Sequence, residues 1–285
     1  MVIVIGKNGQ LAQELKYTSS NKKDYFWGRE DIDIFDRNSL KKAIVKIKPT
    51  TIVNTSAYTS VDLAETNAAL AFALNRDAVK NLAKICEEDG IRLIHISTDF
   101  VFDGNKTNPY LVSDLTNPIN VYGKSKLAGE EQIIKNMNGN YSIIRTSWLY
   151  STYANNFVKT MIELMNKKNE LAIVCDEISC PSYARNLSYF IWKQVQLVNL
   201  EPICHWTDLG QASWYEFAEE IYTQASMMGI VKNDNFVLKK IKAIDYNAKA
   251  SRPKYSRLAI SKLDKLSWKE SLNKMLSELK NNIKE

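Results

Sequence analysis

The chain opens on an unbroken apolar run, Val2-Ile3-Val4-Ile5, the pattern of a strand buried on both faces. Helical spacing runs from Leu11 to Tyr17, and Tyr25-Phe26-Trp27 predicts a second short strand. Ser39 to Ile47 has helical spacing and stops at Pro49, after which Thr51-Ile52-Val53-Asn54 predicts a third strand. Ala64 to Asp89 is a long Ala-rich helical stretch, with one break expected near Asn75 and Gly90 as its C-cap. Arg92-Leu93-Ile94-His95-Ile96-Ser97 predicts a fourth strand, Val121 to Met137 a helix, and Tyr141-Ser142-Ile143-Ile144-Arg145 a fifth strand. Strands alternating with helices in this way predict an α/β fold with a doubly wound parallel sheet.

After Ser151 the alternation loosens. Helices are expected over Asn156 to Lys167, Asn186 to Val198 and Trp214 to Met227, with strands near Leu171-Ala172-Ile173-Val174 and Phe236-Val237-Leu238. Trp268 to Lys284 predicts a polar amphipathic helix. Residues 1–150 therefore read as the sheet-bearing domain. Residues 151–285 read mostly as a smaller, mixed C-terminal lobe over the open end of the sheet, with room for some segments to return to it.

Composition narrows the class. A chain of 285 residues, 45% hydrophobic and 25% charged, has ordinary globular usage and can bury a sizeable core. The net charge of +6 is scattered, and its largest cluster is Lys239, Lys240, Lys242, Lys249, Arg252, Lys254 and Arg257. That excess suits small anionic substrates and argues against a nucleic-acid partner. Cys86, Cys175, Cys180 and Cys204 form no CxxC pair, and with only His95 and His205 no zinc spacing occurs, so free thiols in a reducing cytosol are expected. Met1 leads directly into the apolar run with no basic leader or cleavage site, which points to a cytoplasmic protein. No apolar run approaches the roughly 18 residues of a membrane span.

Directly after the first strand comes Gly6-Lys7-Asn8-Gly9-Gln10-Leu11-Ala12. Glycines three apart, followed by a helix, let the backbone turn tightly and approach a pyrophosphate at the helix N-terminus, as in a Rossmann-like dinucleotide-binding domain. Gly6, Asn8, Gly9, Gln10 and Leu11 are the candidate cofactor residues of this turn, and Ala12 stands where the usual third glycine would be. The second strand ends Trp27-Gly28-Arg29 with no carboxylate for a ribose 2′-hydroxyl. A guanidinium there favours the 2′-phosphate of NADPH, with NADH the other possibility: Arg29 would then be a solvated surface residue and Glu30 or Asp31 the ribose ligand.

The fourth strand runs out into Ser97-Thr98-Asp99, and a loop later come Tyr122-Gly123-Lys124-Ser125-Lys126. Residues four apart share a helix face, so Tyr122 and Lys126 place a phenol beside an ammonium. That suits hydride reduction of a ketone. Tyr122 is the candidate acid, Lys126 lowers the phenol pKa and holds the nicotinamide ribose, and Thr98 polarises the carbonyl. Isolated Tyr-x-x-x-Lys pairs are usually surface residues; it is the order of glycine turn, strand-end hydroxyl and helix that carries the reading.

Taken together, these residues resemble the extended short-chain dehydrogenase/reductase family and, within it, the dTDP-4-dehydrorhamnose reductases. The matching strings are Gly6 to Leu11, Asp33-Ile34, Val53 to Glu65, Ser97 to Gly104, Asn120 to Glu130, Arg145 to Tyr150, Asn155-Asn156-Phe157 and Arg252 to Leu258. The resemblance implies a catalytic set of Thr98, Tyr122 and Lys126. It implies cofactor contacts from Gly9 to Leu11, Asp33, Ile34, Ala57, Tyr58 and Thr59. It implies that Thr59, Val61, Thr98, Asp99 and Trp148 touch the sugar or its nucleotide, with Asn156 and Arg252 nearer the nucleotide end. A dTDP-linked sugar substrate, NADPH and a homodimer are what it implies about ligands and partners.

The chain departs from that pattern at Phe100, where the family has Tyr, and at Asp176-Glu177-Ile178-Ser179-Cys180-Pro181-Ser182, where Glu177 and Ser179 replace Gln and Gly. Glu14 and Glu278 match two glutamates that hold magnesium between subunits in some members, but Arg185 stands at a third, so no metal is predicted. Two other readings stay open: a reductase of another nucleotide-linked 4-keto-6-deoxysugar, and a non-catalytic cofactor-binding module resembling the regulatory subunit of methionine adenosyltransferase.

Overall fold

The computed structural model describes residues 1–260 and 265–284. Its first half runs β1 (Val2–Ile5), α1 (Gln10–Thr18), β2 (Tyr25–Trp27), α2 (Arg37–Ile47), β3 (Thr51–Asn54), α3 (Val61–Thr66), α4 (Ala68–Phe72), α5 (Ala78–Glu88), β4 (Arg92–Thr98), α6 (Val121–Asn136), β5 (Tyr141–Thr146) and β6 (Leu149–Tyr150). The second half adds α7 (Phe157–Lys167), β7 (Glu170–Val174), β8 (Ile178–Ser179), β9 (Ser182–Tyr183), α8 (Ala184–Gln196), β10 (Ile203–His205), β11 (Ala212–Ser213), α9 (Trp214–Met227), β12 (Val237–Ile241), α10 (Ala243–Tyr246) and α11 (Trp268–Lys284).

Six strands pair in parallel in the order β2-β1-β3-β4-β5-β10. The apolar runs form these strands because both faces of the sheet are covered. Ile3, Ile5, Ile52, Leu93 and Ile143 pack in the cluster that holds Leu40, Ile44, Leu82 and Ile133 of the α2, α5 and α6 helices. Their neighbours Val2, Val4, Val53, Ile94 and Ile144 pack in another, with Leu11 and Leu15 of α1 and Leu187 and Ile191 of α8. The order turns back between β1 and β3, which opens the ligand crevice of a doubly wound sheet at their carboxyl ends.

Two segments of the second half belong to this layer structure: α8 packs on α1, and β10 extends the sheet beside β5. The remainder builds its own core around Tyr150, Phe217, Trp268, Leu272 and Met275. Helix boundaries follow local chemistry. Asp36 caps α2 by accepting from Asn38 N and Ser39 N, and Ser213 with Glu216 makes a capping box for α9. The long Ala-rich stretch is not one helix. It breaks at Asn67 and passes through a π-helical turn, Ala73–Asp77, between α4 and α5. Among the described residues no helix is long and apolar enough to cross a membrane.

Two glycines let α6 approach its neighbours. A Cβ on Gly123 would lie 2.2 Å from Phe100 O, and one on Gly129 would lie 2.1 Å from Asn75 O in the π turn. On an unobstructed helix, Gly→Ala stabilises by about 1 kcal/mol. Here Gly129→Ala should instead lower stability by about 1–3 kcal/mol, because the clash is with backbone; a variant more stable than the parent in urea unfolding would refute the close approach. A second expectation concerns the surface where α1, α8 and α11 meet. Arg185 binds buried Glu14 and also Glu278, its Nη1 lying 2.9 Å from Glu278 Oε1. The two glutamates that matched metal positions thus share a guanidinium. Arg185→Met strands the Glu14 carboxylate and should cost about 3–5 kcal/mol. Adding Glu14→Gln should recover most of that loss in the same unfolding measurement.

Candidate active site

The end of β4 and the first turns of α6 meet at the crevice. Asn120 starts α6 by accepting from Gly123 N at 2.7 Å, while its Nδ2 reaches Ser251 O at 2.8 Å. Glu65 Oε1 of α3 accepts from Val121 N at 2.8 Å. These contacts set the direction in which α6 leaves the loop. They put Tyr122 beside Thr98, its ring edge-on to Phe100 with centroids 5.8 Å apart. Phe100 therefore serves as a packing surface for the phenol.

In the protein alone, burial pushes the Tyr122 phenol up to about 12, with the nearby Thr98 hydroxyl opposing. In this arrangement the Lys126 amine is turned toward β4, donating to Ile96 O at 2.7 Å and lying 3.2 Å from His95 Nε2. Burial brings Lys126 down to about 8, with Glu130 opposing. Below it, Glu130 is paired with Arg145 of β5, Nη2 to Oε2 2.6 Å, both side chains almost wholly buried. Ser97 donates to the same carboxylate at 2.5 Å.

Thr98 Oγ1 accepts from Phe100 N at 3.2 Å and donates to Asp99 Oδ1 at 3.1 Å. The Asp99 carboxylate faces inward. It also accepts from Ser179 Oγ at 3.1 Å and from Ser256 Oγ, and burial raises it to about 6 against these bonds. The expected sugar contact from Asp99 is therefore not free in this arrangement; its oxygens tie β8 and the 252–258 segment to the end of β4.

The glycine turn has the geometry its spacing predicts. Gly6 has φ +104°, and a Cβ there would meet Thr55 Oγ1 at 2.7 Å. Gly9 caps α1 with no side chain, and the first intrahelical bond is Gln13 N to Gly9 O, 3.0 Å. The amides of Gln10, Leu11 and Ala12 precede that bond and remain for an anion. The Leu11 side chain is buried in the core, so only its backbone faces the turn. Asn8 is exposed; Gln10 donates from Nε2 to Leu149 O at 3.2 Å and leaves Oε1 buried and unpartnered.

At the end of β2, Lys7 bridges Glu30 (2.7 Å) and Asp31 (2.8 Å), and Asp31 also accepts from Gly28 N. Arg29 is exposed and has no hydrogen-bond or ion-pair partner among the described residues. Asp33 accepts from Phe35 N at 2.9 Å, and Ile34 packs on the core beneath it. The loop carrying Ala57, Tyr58 and Thr59 is clamped to α6 through Asn75. Tyr58 N donates to Asn75 Oδ1 at 2.8 Å, and Asn75 Nδ2 reaches Tyr58 O and Ser125 Oγ at 3.1 and 2.9 Å.

The other expected residues lie on separate elements. Trp148 has φ +44°, a conformation costing about 1–2 kcal/mol for an L-residue. Its ring stacks on Trp214 at 3.5 Å, and the Trp214 indole donates to Glu177 Oε2 at 3.2 Å. Arg252 is paired with Asp62 of α3, Nη2 to Oδ2 2.6 Å, next to Val61. Asn156 is spent as the cap of α7, accepting from Lys159 N at 3.2 Å and donating to Ser151 O at 2.7 Å.

Sequence reasoning missed Asn54, His95, the Glu130–Arg145 pair and Trp214. Glu130 four residues after Lys126 was a legible signal; the other partners come from separate elements. Among the described residues no group of three His, Cys, Asp or Glu side chains is placed to hold a metal ion.

Residues 1–281 match the RmlD substrate binding domain family. The chain is 37% identical to a dTDP-4-dehydrorhamnose reductase of Sinorhizobium fredii over 96% of its own length and 95% of the relative's. It is 32% identical to the spore coat polysaccharide biosynthesis protein SpsK of Bacillus subtilis, covering 97% of each chain. Among solved structures, a dTDP-4-dehydrorhamnose reductase from Bacillus anthracis, determined in complex with NADP, superposes with a TM-score of 0.91 at 35% identity, covering 97% of this chain and 98% of that one. With this coverage, the chain belongs to the dTDP-4-dehydrorhamnose reductase family defined by the RmlD substrate binding domain.

Proposed function

We propose that this protein reduces the C4 ketone of dTDP-4-dehydro-L-rhamnose to dTDP-L-rhamnose with NADPH, for rhamnose-containing polysaccharide. The observation that carries the reading is the placement of Tyr122 and Lys126 on one face of α6 beside Thr98, at the carboxyl end of a parallel sheet. The family membership supplies the substrate class.

The residues present fit a dinucleotide. The Gly6 turn packs too closely on Thr55 and Ser56 to admit a Cβ and keeps a φ that suits glycine, and the α1 N-terminus offers unpaired amides to a pyrophosphate. Arg29, unpaired and exposed, suits a 2′-phosphate, while Asp31 is already held by Lys7 and Gly28. Gly6, Asn8, Gly9, Gln10, Leu11, Asp33, Ile34 and the Ala57–Thr59 loop would complete the site, with Lys126 at the ribose. NADPH, when bound, supplies the hydride that adds to C4.

The chain supplies the rest. The raised proton affinity of Tyr122 keeps it a phenol at neutral pH, ready to give its proton to the carbonyl oxygen as C4 is reduced. Lys126, one turn along the same helix face, would stabilise the phenolate and return a proton to it once its amine turns from Ile96 O. Thr98 fixes the oxygen's position through its hydroxyl. Trp148 offers a flat apolar face to the deoxysugar, and Arg252 can turn from Asp62 to a diphosphate oxygen.

Tyr122→Phe should reduce NADPH oxidation with this substrate by about 100-fold or more while changing cofactor affinity only a few-fold; persistent turnover would end the acid assignment. Parallel assays with other nucleotide-linked 4-keto-6-deoxysugars test the substrate, since a faster rate with one of them would replace the rhamnose precursor. Arg29→Ala should weaken NADPH binding about tenfold and leave NADH unaffected. Equal losses for both cofactors would assign the ribose contact elsewhere.

A further inference from the structure

Lys126 has a partner that the reaction does not use. His95 lies buried within β4, its Nε2 3.2 Å from Lys126 Nζ and its Nδ1 3.1 Å from Asn54 Nδ2. Asn54, at the end of β3, is oriented by the loop that follows it: its Oδ1 accepts from Ser56 N at 3.1 Å and from Ser56 Oγ at 2.6 Å. A backbone N–H can only donate, so the oxygen of the amide must face Ser56 and the NH2 must face His95. Nδ1 therefore accepts.

Burial keeps the imidazole neutral. A neutral imidazole that accepts at Nδ1 carries its proton on Nε2. That N–H points at Lys126. An ammonium has no lone pair to receive it, whereas a neutral amine does. The neutral amine then satisfies the whole site: its lone pair takes the His95 proton contact, one N–H goes to Ile96 O at 2.7 Å, and one is left for a ligand hydroxyl.

We infer that His95, locked in its Nε2–H tautomer by Asn54, is a positioning residue that fixes where the Lys126 amine sits and favours release of its proton. The consequence for turnover rests on the reductase reading; the tautomer does not. The other groups around the amine act differently. Glu130, one turn along α6, pulls Lys126 toward the charged form, Arg145 of β5 neutralises that carboxylate, and Tyr122 lies one turn before it on the same face. Asp99 is spent on its three hydroxyl partners. A lysine brought to about 8 by burial, facing an N–H, can return a proton to the Tyr122 phenolate once the phenol has given its own.

The chain has two histidines, so 15N-histidine NMR, with a His205→Gln variant for assignment, reads the His95 tautomer directly. Protonation at Nε2 is expected, and protonation at Nδ1 overturns the inference. The second readout is the alkaline limb of kcat/KM. Losing the Lys126 charge should end activity above about pH 8 in the parent. His95→Leu removes the opposing N–H and should move the limb up by about one pH unit. Asn54→Asp should move it the same way, because a carboxylate draws the histidine proton to Nδ1 and turns Nε2 into an acceptor for the ammonium. His95→Gln, whose amide can present an N–H toward the amine, should leave the limb near its parental place. Reduced rates with an unmoved limb in both His95→Leu and Asn54→Asp would mean that His95 only packs, and would overturn the inference. A parent protein with no turnover would end the reductase reading, and the tautomer would then decide alone.

Discussion

The docking of α6 against the end of the sheet is the constraint on which the rest of the site depends. Gly123 lies against the Phe100 carbonyl and Gly129 against the Asn75 carbonyl, each at a distance no Cβ would permit. Between these two contacts lie Lys126 and Ser125, and just before them Tyr122. A helix displaced by even one methyl group would carry the phenol and amine away from Thr98 and His95 together. The π turn at Ala73–Asp77 belongs to the same device, because it presents both the Asn75 carbonyl and the Asn75 side chain that clamps the Tyr58 loop to Ser125.

Around that helix, buried charge is matched rather than avoided. Glu130 is bound by Arg145 and Ser97, and Asp99 by Thr98, Ser179 and Ser256. Leaving either carboxylate unpaired would cost several kcal/mol, so these groups fix their neighbours as well as themselves. Asp99 has the longer reach. It joins the end of β4 to two segments more than seventy residues away and thereby holds β8 and the 252–258 segment against the parallel sheet. Gln10 does the same from the opposite side, connecting the glycine turn to Leu149 beside Trp148.

Much of the architecture was legible in the chain. The apolar runs at Val2–Ile5 and Thr51–Asn54 could only be strands covered on both faces, and both lie in the middle of the parallel sheet. The Gly6–Gly9 turn and the Tyr122–Lys126 spacing are local patterns, set by backbone geometry within a few residues, and the positions they occupy follow from that geometry. The break expected near Asn75 in the Ala64 to Asp89 stretch is there as the π turn Ala73–Asp77, whereas the second break, at Asn67, left no signal in the helical periodicity. The partners of Asp99 were not legible for a similar reason: Ser179 and Ser256 reach it from segments far along the chain.

The sequence by itself determined the layer order of strands and helices, the glycine turn after β1 and the placing of Tyr122 and Lys126 on one helix face, because each rests on periodicity or on residues a few positions apart. Only the tertiary structure decided where α8 and β10 go, that Arg252 is engaged by Asp62, and that Trp148 lies on Trp214. It also decided the protonation chemistry. Burial and partners at the end of β4 and on α6 shift the proton affinities of Tyr122 and Lys126, and no local pattern encodes how much water a fold removes from a side chain.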